Sequence, residues 1–288
     1  MAKRSTFWRN FSCLSLSTFL ALGTSSCSSL FYFPSHTLYY SPKRLGYEAK
    51  QVSFHAQDGT TLYAWLFKPP EGSTPPRGTI IQFHGNAENM SSHYLSLAWL
   101  VEQGYQLVAF DYRGYGKSEG DPSQKGTYLD ALAALDLAWK FHQENHAQHF
   151  IVFGQSLGGA IATRALQDFP QKDKVDLLVL DSTFTSYKSV ARRKLASFWL
   201  TWPISPLGGL LVSDSYNAED ALKDNKSPVL IIHDRSDPVM PFSCGEDSYR
   251  LATAKKEFWQ LDQGDHIAAF NNPQSPYRKR LVEFLDRL

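Results

Sequence analysis

The chain has 288 residues, 43% of them hydrophobic, enough for a sizeable buried core in one large domain or two small ones. Its 29 basic and 28 acidic side chains leave a formal charge of +1, which argues against the electrostatic footprint of a nucleic-acid-binding protein. Of three cysteines, Cys13 and Cys27 lie near the N terminus and only Cys244 in the body, so the body has no internal disulfide and its core must suffice without one.

Residues 1–30 differ from everything after them. Lys3, Arg4 and Arg9 precede an apolar stretch from Phe11 to Leu22, and small residues then lead to Cys27. That order is the layout of a secretory signal, and the apolar run is too short and serine-rich for a comfortable membrane span. Small residues before a cysteine also resemble a bacterial lipoprotein signal with Cys27 as the lipidated residue, although Thr24 stands where such signals usually carry leucine. The expectation is export to the cell envelope, periplasmic or anchored to the membrane through the N terminus. An uncleaved anchor or a buried apolar helix is the alternative. Residues 28–46, with several aromatics and two prolines, read as a stalk or lead-in.

From Gln51 onward, strand-like and helix-like segments alternate. Gln51–His55 and Thr61–Phe67 flank an Asp58-Gly59 turn and predict a hairpin. Thr79–Phe83 is a short apolar run suited to a strand buried on both faces, followed by a helix expected over Ser92–Gln103. The alternation continues with strand Gln106–Phe110, helix Tyr128–His142, strand Phe150–Phe153 and helix Leu157–Leu166. Leu177–Leu180, Val229–Ile232 and Glu257–Leu261 are further strands, and Pro276–Leu288 closes the chain as a helix. Such alternation implies a mostly parallel sheet covered on both faces. One stretch breaks the rhythm. Residues 184–224 separate two strands by more than one crossover helix requires, and carry Phe198, Trp199, Leu200, Trp202, Pro203, Leu207 and Leu210. They predict a small cap over the strand ends, lining an apolar substrate pocket or simply burying its own apolar face.

Gly154-Gln155-Ser156-Leu157-Gly158 follows a strand and opens a helix, the context of a nucleophile elbow. A serine hydroxyl needs a base, so an acid and a histidine should follow downstream. Asp237, in the loop after Val229–Ile232, and His266, after the strand ending near Leu261, meet that need at the same sheet edge as Ser156. Asp181 is a competing acid at the end of the preceding strand. Asp234 lies nearer its strand end and should shape the turn, and Asp265 should be a solvated loop residue. The loop Gln82-Phe83-His84-Gly85-Asn86 is expected to supply one N–H of an oxyanion hole from Asn86, the other coming from Leu157. His84 is expected to fix that loop rather than act as a base. The glycine-rich loop Asp111–Ser118 matches neither nucleotide motif and should be an ordered loop beside the site. No histidine has metal-ligand spacing, and neither metal nor cofactor is expected.

Together these residues resemble the α/β-hydrolase superfamily, and within it the abhydrolase-domain branch labelled serine aminopeptidase-like, which includes protein depalmitoylases and many bacterial lipoproteins. The motifs that carry the resemblance are His84-Gly85-Asn86-Ala87-Glu88, Asp111–Gly116, Gly154–Gly159, Asp237-Pro238-Val239-Met240-Pro241 and Gly264-Asp265-His266, in the family's order across roughly residues 50–288. The resemblance implies an α/β-hydrolase fold over residues 31–288, a mostly parallel central sheet with helices on both faces and a small cap insertion. It also implies the triad Ser156, Asp237 and His266, and hydrolysis of an ester or thioester of a small or lipid-like acyl group. A peptidase or amidase on the same triad, or a non-catalytic envelope scaffold, are the competing readings. A monomer is the default.

Overall fold

Apolar runs of five to seven residues become the central strands of an eight-stranded sheet. The computed structural model describes residues 31–70, 75–196, 205, 208–262 and 264–288. The leader with Cys13 and Cys27 lies outside the described residues, as do Phe198, Trp199, Leu200, Trp202, Pro203 and Leu207 of the insert.

A two-residue strand, β1 (Phe33–Pro34), opens the described chain, and a 3₁₀ turn over Pro42–Leu45 ends at Gly46, which takes φ +82°. Strands β2 (Ala49–His55) and β3 (Thr61–Phe67) form the expected hairpin, in register from Ala49 opposite Phe67 to His55 opposite Thr61. The buried strand β4 (Gly78–Phe83) leads to a two-residue strand β5 (Ala87–Glu88) that pairs with β1. Two short helices, α1 (Met90–His93) and α2 (Leu95–Ala98), precede β6 (Tyr105–Asp111). Helix α3 (Gln124–Glu144) starts at Ser123, whose side chain accepts the Gly126 N–H. Strand β7 (His149–Gln155), helix α4 (Leu157–Asp168) and strand β8 (Leu177–Asp181) follow.

The insert contains helices α5 (Tyr187–Ala196), α6 (Gly208–Leu211) and α7 (Glu219–Asp224) before β9 (Val229–Asp234). Asp214 clips its two arms together by accepting the Ser186 hydroxyl and the Tyr187 N–H, each at 2.8 Å, at the start of α5. Helix α8 (Ser243–Leu251), strand β10 (Lys256–Leu261) and helix α9 (Pro276–Leu285) complete the chain.

The sheet has eight strands in the order β10-β9-β8-β7-β4-β6-β3-β2, parallel from β10 to β6 and antiparallel where β3 joins β6 and β2. Alternate residues of each central strand feed two cores. Ile81, Val108, Val152 and Leu180 pack toward α3 and α4, while Ile80, Leu107, Ile151 and Val179 pack with Tyr94, Leu97 and α9. Burial on both faces explains the unbroken apolar runs. The helix expected over Ser92–Gln103 is instead split. Tyr94 stacks on Phe67 with ring centroids 5.2 Å apart, and beyond Ala98 the backbone bonds run three residues back, as from Leu100 N–H to the Leu97 carbonyl. Packing against β3 thus tightens the segment into turns.

Candidate active site

Strand β7 runs directly into Ser156, which takes φ +52° and ψ −121°, a conformation serine adopts only under constraint. Its N–H donates to the Asp181 carbonyl at 2.9 Å, and its own carbonyl accepts the Thr183 hydroxyl at 2.7 Å, so the end of β8 holds the turn. Glycines make the room. A Cβ on Gly154 would lie 2.4 Å from Gly159 Cα, and one on Gly158 would lie 2.2 Å from the Phe83 carbonyl oxygen. The first turn of α4 is thereby pressed against the end of β4.

The loop after β4 is tied down from several sides. The Asn86 carbonyl accepts the Phe33 N–H at 2.8 Å and the Tyr115 hydroxyl at 2.7 Å. His84 is buried, with Nδ1 2.8 Å from the Gly85 carbonyl and Nε2 3.5 Å from Asp111 Oδ1. Burial, with the neighbouring His93, pulls the His84 ring well below the ordinary imidazole range and keeps it neutral. Burial likewise pushes the Asp111 carboxyl up to about 7 against the single backbone donor, Met90 N–H at 2.6 Å. The glycine-rich loop is shaped around that carboxyl, because a Cβ on Gly116 would collide with Asp111 Oδ2 at 1.9 Å. Among the described residues the N–H groups of Asn86 and Leu157 have no acceptor.

On the other side of Ser156, His266 Nδ1 lies 2.6 Å from Asp237 Oδ2. Asp237 Oδ1 accepts the N–H groups of Val239 and Met240, both at 2.7 Å. Burial alone would raise the Asp237 carboxyl, but the His266 bond and these backbone donors hold it below the ordinary carboxylate range. The loop is pinned once more by His233, whose Nε2 donates to the Met240 carbonyl at 3.0 Å. Asp234 shapes the turn by accepting Ser236 N–H at 2.8 Å, and Asp265 is exposed and accepts the His266 N–H at 2.7 Å.

A cavity of about 180 Å³ is lined by Gln155 and Ile267, the chain neighbours of Ser156 and His266, and by Glu88, His93 and Asn271. A larger one, about 510 Å³, opens at the opposite edge of the sheet between Lys68, Pro76 and His146 and shares no residue with these surroundings.

Known proteins resemble this chain in sequence and fold. Residues 74–227 match the family profile described as "Serine aminopeptidase, S33". The chain is 34% identical to the uncharacterized protein YfhR of Escherichia coli K12, over 89% of this chain and 86% of that one. It is 32% identical to the α/β hydrolase domain-containing protein WAV2 of Arabidopsis thaliana, over 86% of this chain and 82% of that one. The chain belongs to the α/β-hydrolase superfamily. Its fold is also that of a Pyrococcus furiosus esterase, with a TM-score of 0.66 at 24% identity over 89% of this chain and 97% of the esterase.

This α/β hydrolase carries groups beside Ser156 that, Asp181 apart, sequence patterns did not single out. A buried polar chain runs behind the elbow. Gln82 Nε2 donates to Gln155 Oε1 at 2.8 Å, Gln155 Nε2 to Asp181 Oδ2 at 3.2 Å, and the Ser182 hydroxyl lies 3.3 Å from Asp181 Oδ1. Ser182 then accepts the Ile267 N–H at 3.4 Å, so the chain ends next to His266. Burial pushes the Asp181 carboxyl up to about 6. His93 is a second unforeseen neighbour, since a Cβ on Gly85 would meet both the His93 ring at 3.3 Å and Ser156 Cβ at 3.7 Å. Glutamines inside strands and a histidine in a broken helix leave no periodic signal.

Proposed function

We propose that this hydrolase cleaves carboxylic esters or thioesters through an acyl-enzyme on Ser156, with His266 as general base and Asp237 as the acid that orients it. One observation carries the reading. His266 Nδ1 and Asp237 Oδ2 are 2.6 Å apart on loops that flank a serine strained to φ +52°. With Nδ1–H donated to the carboxylate, Nε2 is left as the proton acceptor. It takes the Ser156 Oγ proton as Oγ bonds to the acyl carbon and the carbonyl electron pair moves onto oxygen. The N–H groups of Leu157 and Asn86 receive that oxyanion, each contributing ~3–4 kcal/mol to the transition state. Collapse expels the alcohol or thiol with the proton from Nε2 and leaves the acyl ester. Water, deprotonated by the same nitrogen, then attacks and releases the acid and Ser156.

The small cavity beside the elbow, with Glu88, His93 and Asn271 on its wall, supports a short or polar group on one side of the scissile bond. A long acyl chain would draw on Phe198, Trp199 and Trp202 of the insert, which lie outside the described residues. The description of the matched family favours a second reading, amide cleavage on the same triad. Wild type and Ser156→Ala, compared for fluorophosphonate labelling and for hydrolysis of p-nitrophenyl esters and p-nitroanilides, test both. Ester turnover should fall roughly 10⁴-fold or more in the variant, with labelling lost. Turnover of anilides above esters would favour the amide reading. A folded wild type that neither labels nor turns over would instead be a binding scaffold.

A further inference from the structure

Five of the eight exposed large apolar side chains among the described residues lie within one short segment, Phe33, Leu38, Tyr39, Tyr40 and Leu45. Leu38 is 62% exposed and Phe33 57%. Scattered apolar side chains on a surface need no explanation, but a concentrated and ordered set does. This set is ordered. Ser35 N–H donates to the Glu88 carbonyl at 3.1 Å, Asn89 Nδ2 donates to the Ser35 and Thr37 carbonyls at 2.8 and 2.7 Å, and Tyr39 N–H donates to the Ser91 hydroxyl at 3.0 Å. Tyr32 turns inward, with its hydroxyl 3.2 Å from Thr127 Oγ1, so the next side chain, Phe33, is held outward. The segment is therefore a rigid apolar rim, and it is bonded to the same loop that presents Asn86.

We infer that this rim docks on the surface of a phospholipid bilayer and turns the mouth of the Ser156 site toward the membrane. Three observations select lipid as the occupant. Tyrosines and apolar side chains are joined by exposed Lys43 and Arg44, and no acidic residue occurs between Phe31 and Tyr47. That mixture of aromatic, apolar and basic groups is the composition of segments seated at a lipid headgroup boundary, where anionic lipids attract the basic pair. The apolar run Phe11–Leu22 precedes Phe33 by eleven residues, which even fully extended span no more than roughly 40 Å, so any lipid that holds the run lies within reach of the rim. Finally, β1 pairs with β5 just past the carboxyl end of β4, at the sheet edge where Ser156 stands. The docking stands without the catalytic assignment. Its consequence, an amphiphilic ester taken from the bilayer surface, rests on the function proposed above.

The test uses the full chain on vesicles of phosphatidylcholine with a minor share of phosphatidylglycerol, doped with a phospholipid that carries a photoreactive diazirine. Adducts mapped by peptide mass spectrometry should concentrate on Phe33–Leu45, with exposed Val239, Tyr249 and Leu288 at background, and should do so in Ser156→Ala as well. Adducts confined to residues 1–30, or spread evenly over the exposed apolar side chains, overturn the docking. Crosslinks between two copies through the rim overturn it in favour of a self-association surface. The double variant Leu38→Ser/Tyr40→Ser should lose the rim adducts. It should also hydrolyse a vesicle-embedded ester roughly tenfold or more slowly while a soluble short ester is unaffected, since two apolar anchors are removed from the lipid. A wild type inert toward both esters would sink the catalytic reading and leave the adduct map to decide the docking.

Discussion

The two flanks of Ser156 each contain a buried aspartate beside a histidine, and the two carboxyls are shifted in opposite directions. On the β9 side, the Asp237 carboxyl accepts bonds from His266 Nδ1, Val239 N–H and Met240 N–H at 2.6–2.7 Å, and these outweigh its burial. On the β4 side, Asp111 has one close donor, Met90 N–H at 2.6 Å, and burial lifts it to about 7 beside a neutral His84. Residue type does not decide the charge. The number of aimed donors does. The difference suits the chemistry proposed here, because an imidazolium forming on His266 gains from a fixed negative charge, whereas an oxyanion forming beside Asn86 would be opposed by one.

The largest contrast should come from removing each carboxylate in turn. Asp237→Asn should lower kcat by about 10⁴-fold, because the amide no longer anchors the Nδ1–H tautomer. Asp111→Asn should stay within about tenfold of wild type, since about 1 kcal/mol of one hydrogen bond is at stake. Asp181 sharpens the comparison further, being close to His266 yet raised to about 6 by burial, with Gln155 as its amide donor at 3.2 Å. Asp181→Asn should behave like Asp111→Asn. Steady-state kinetics on one ester with all three variants checks this, and a loss at Asp181 as large as that at Asp237 would transfer the acid role to β8.

Next in size is the effect of pH on stability. An unfolded aspartate loses its proton near 3.8, whereas folded Asp111 keeps it up to about 7. Between those values the native state binds the extra proton, so stability from this group declines as pH rises and levels off above about 7. The full change is on the order of 4 kcal/mol, three pKa steps at about 1.4 each. Urea unfolding of wild type and Asp111→Asn at about pH 4 and about pH 8 isolates it, and the stability difference between the two proteins should shift by several kcal/mol toward the variant at the higher pH. Equal slopes would mean that Asp111 is ionised throughout.

The eight strands of the main sheet and the three loops bearing Ser156, Asp237 and His266 are legible in the sequence for a plain reason. Strands buried on both faces must be short apolar runs, and the chain must change direction at their ends, where Gly154, Asp237-Pro238 and Gly264 mark the turns. What escaped depends on contacts between distant residues. The helix expected at Ser92–Gln103 has the right periodicity, but Tyr94 is drawn onto Phe67 and the backbone tightens around it. Helix α8 begins Ser-Cys-Gly and is absent from the predicted elements, its position being set by Gly245 packing on His233, where a Cβ would come within 2.8 Å of the ring, and by Arg193 reaching Ser243 at 2.7 Å. For the loop Asp111–Ser118 the sequence predicts order beside the site. That its first residue is an acid pushed up to about 7 by burial is visible only once Met90, His84 and Gly116 surround it.

The smallest expected effect probes how firmly the neutral flank is held. Tyr115 donates its hydroxyl to the Asn86 carbonyl at 2.7 Å, and the Phe33 N–H donates to the same oxygen at 2.8 Å. Tyr115→Phe removes one of these bonds and keeps the ring against His84, 5.1 Å between centroids. The cost should be about 1 kcal/mol, and it should appear as a roughly fivefold drop in kcat with KM unchanged, because the Asn86 N–H matters only once the oxyanion exists. Affinity for a boronic acid, which forms a tetrahedral adduct on serine, should fall by the same factor as kcat/KM. A lower melting temperature with both kinetic constants intact would mean that the Phe33 N–H suffices to hold the Asn86 carbonyl in place.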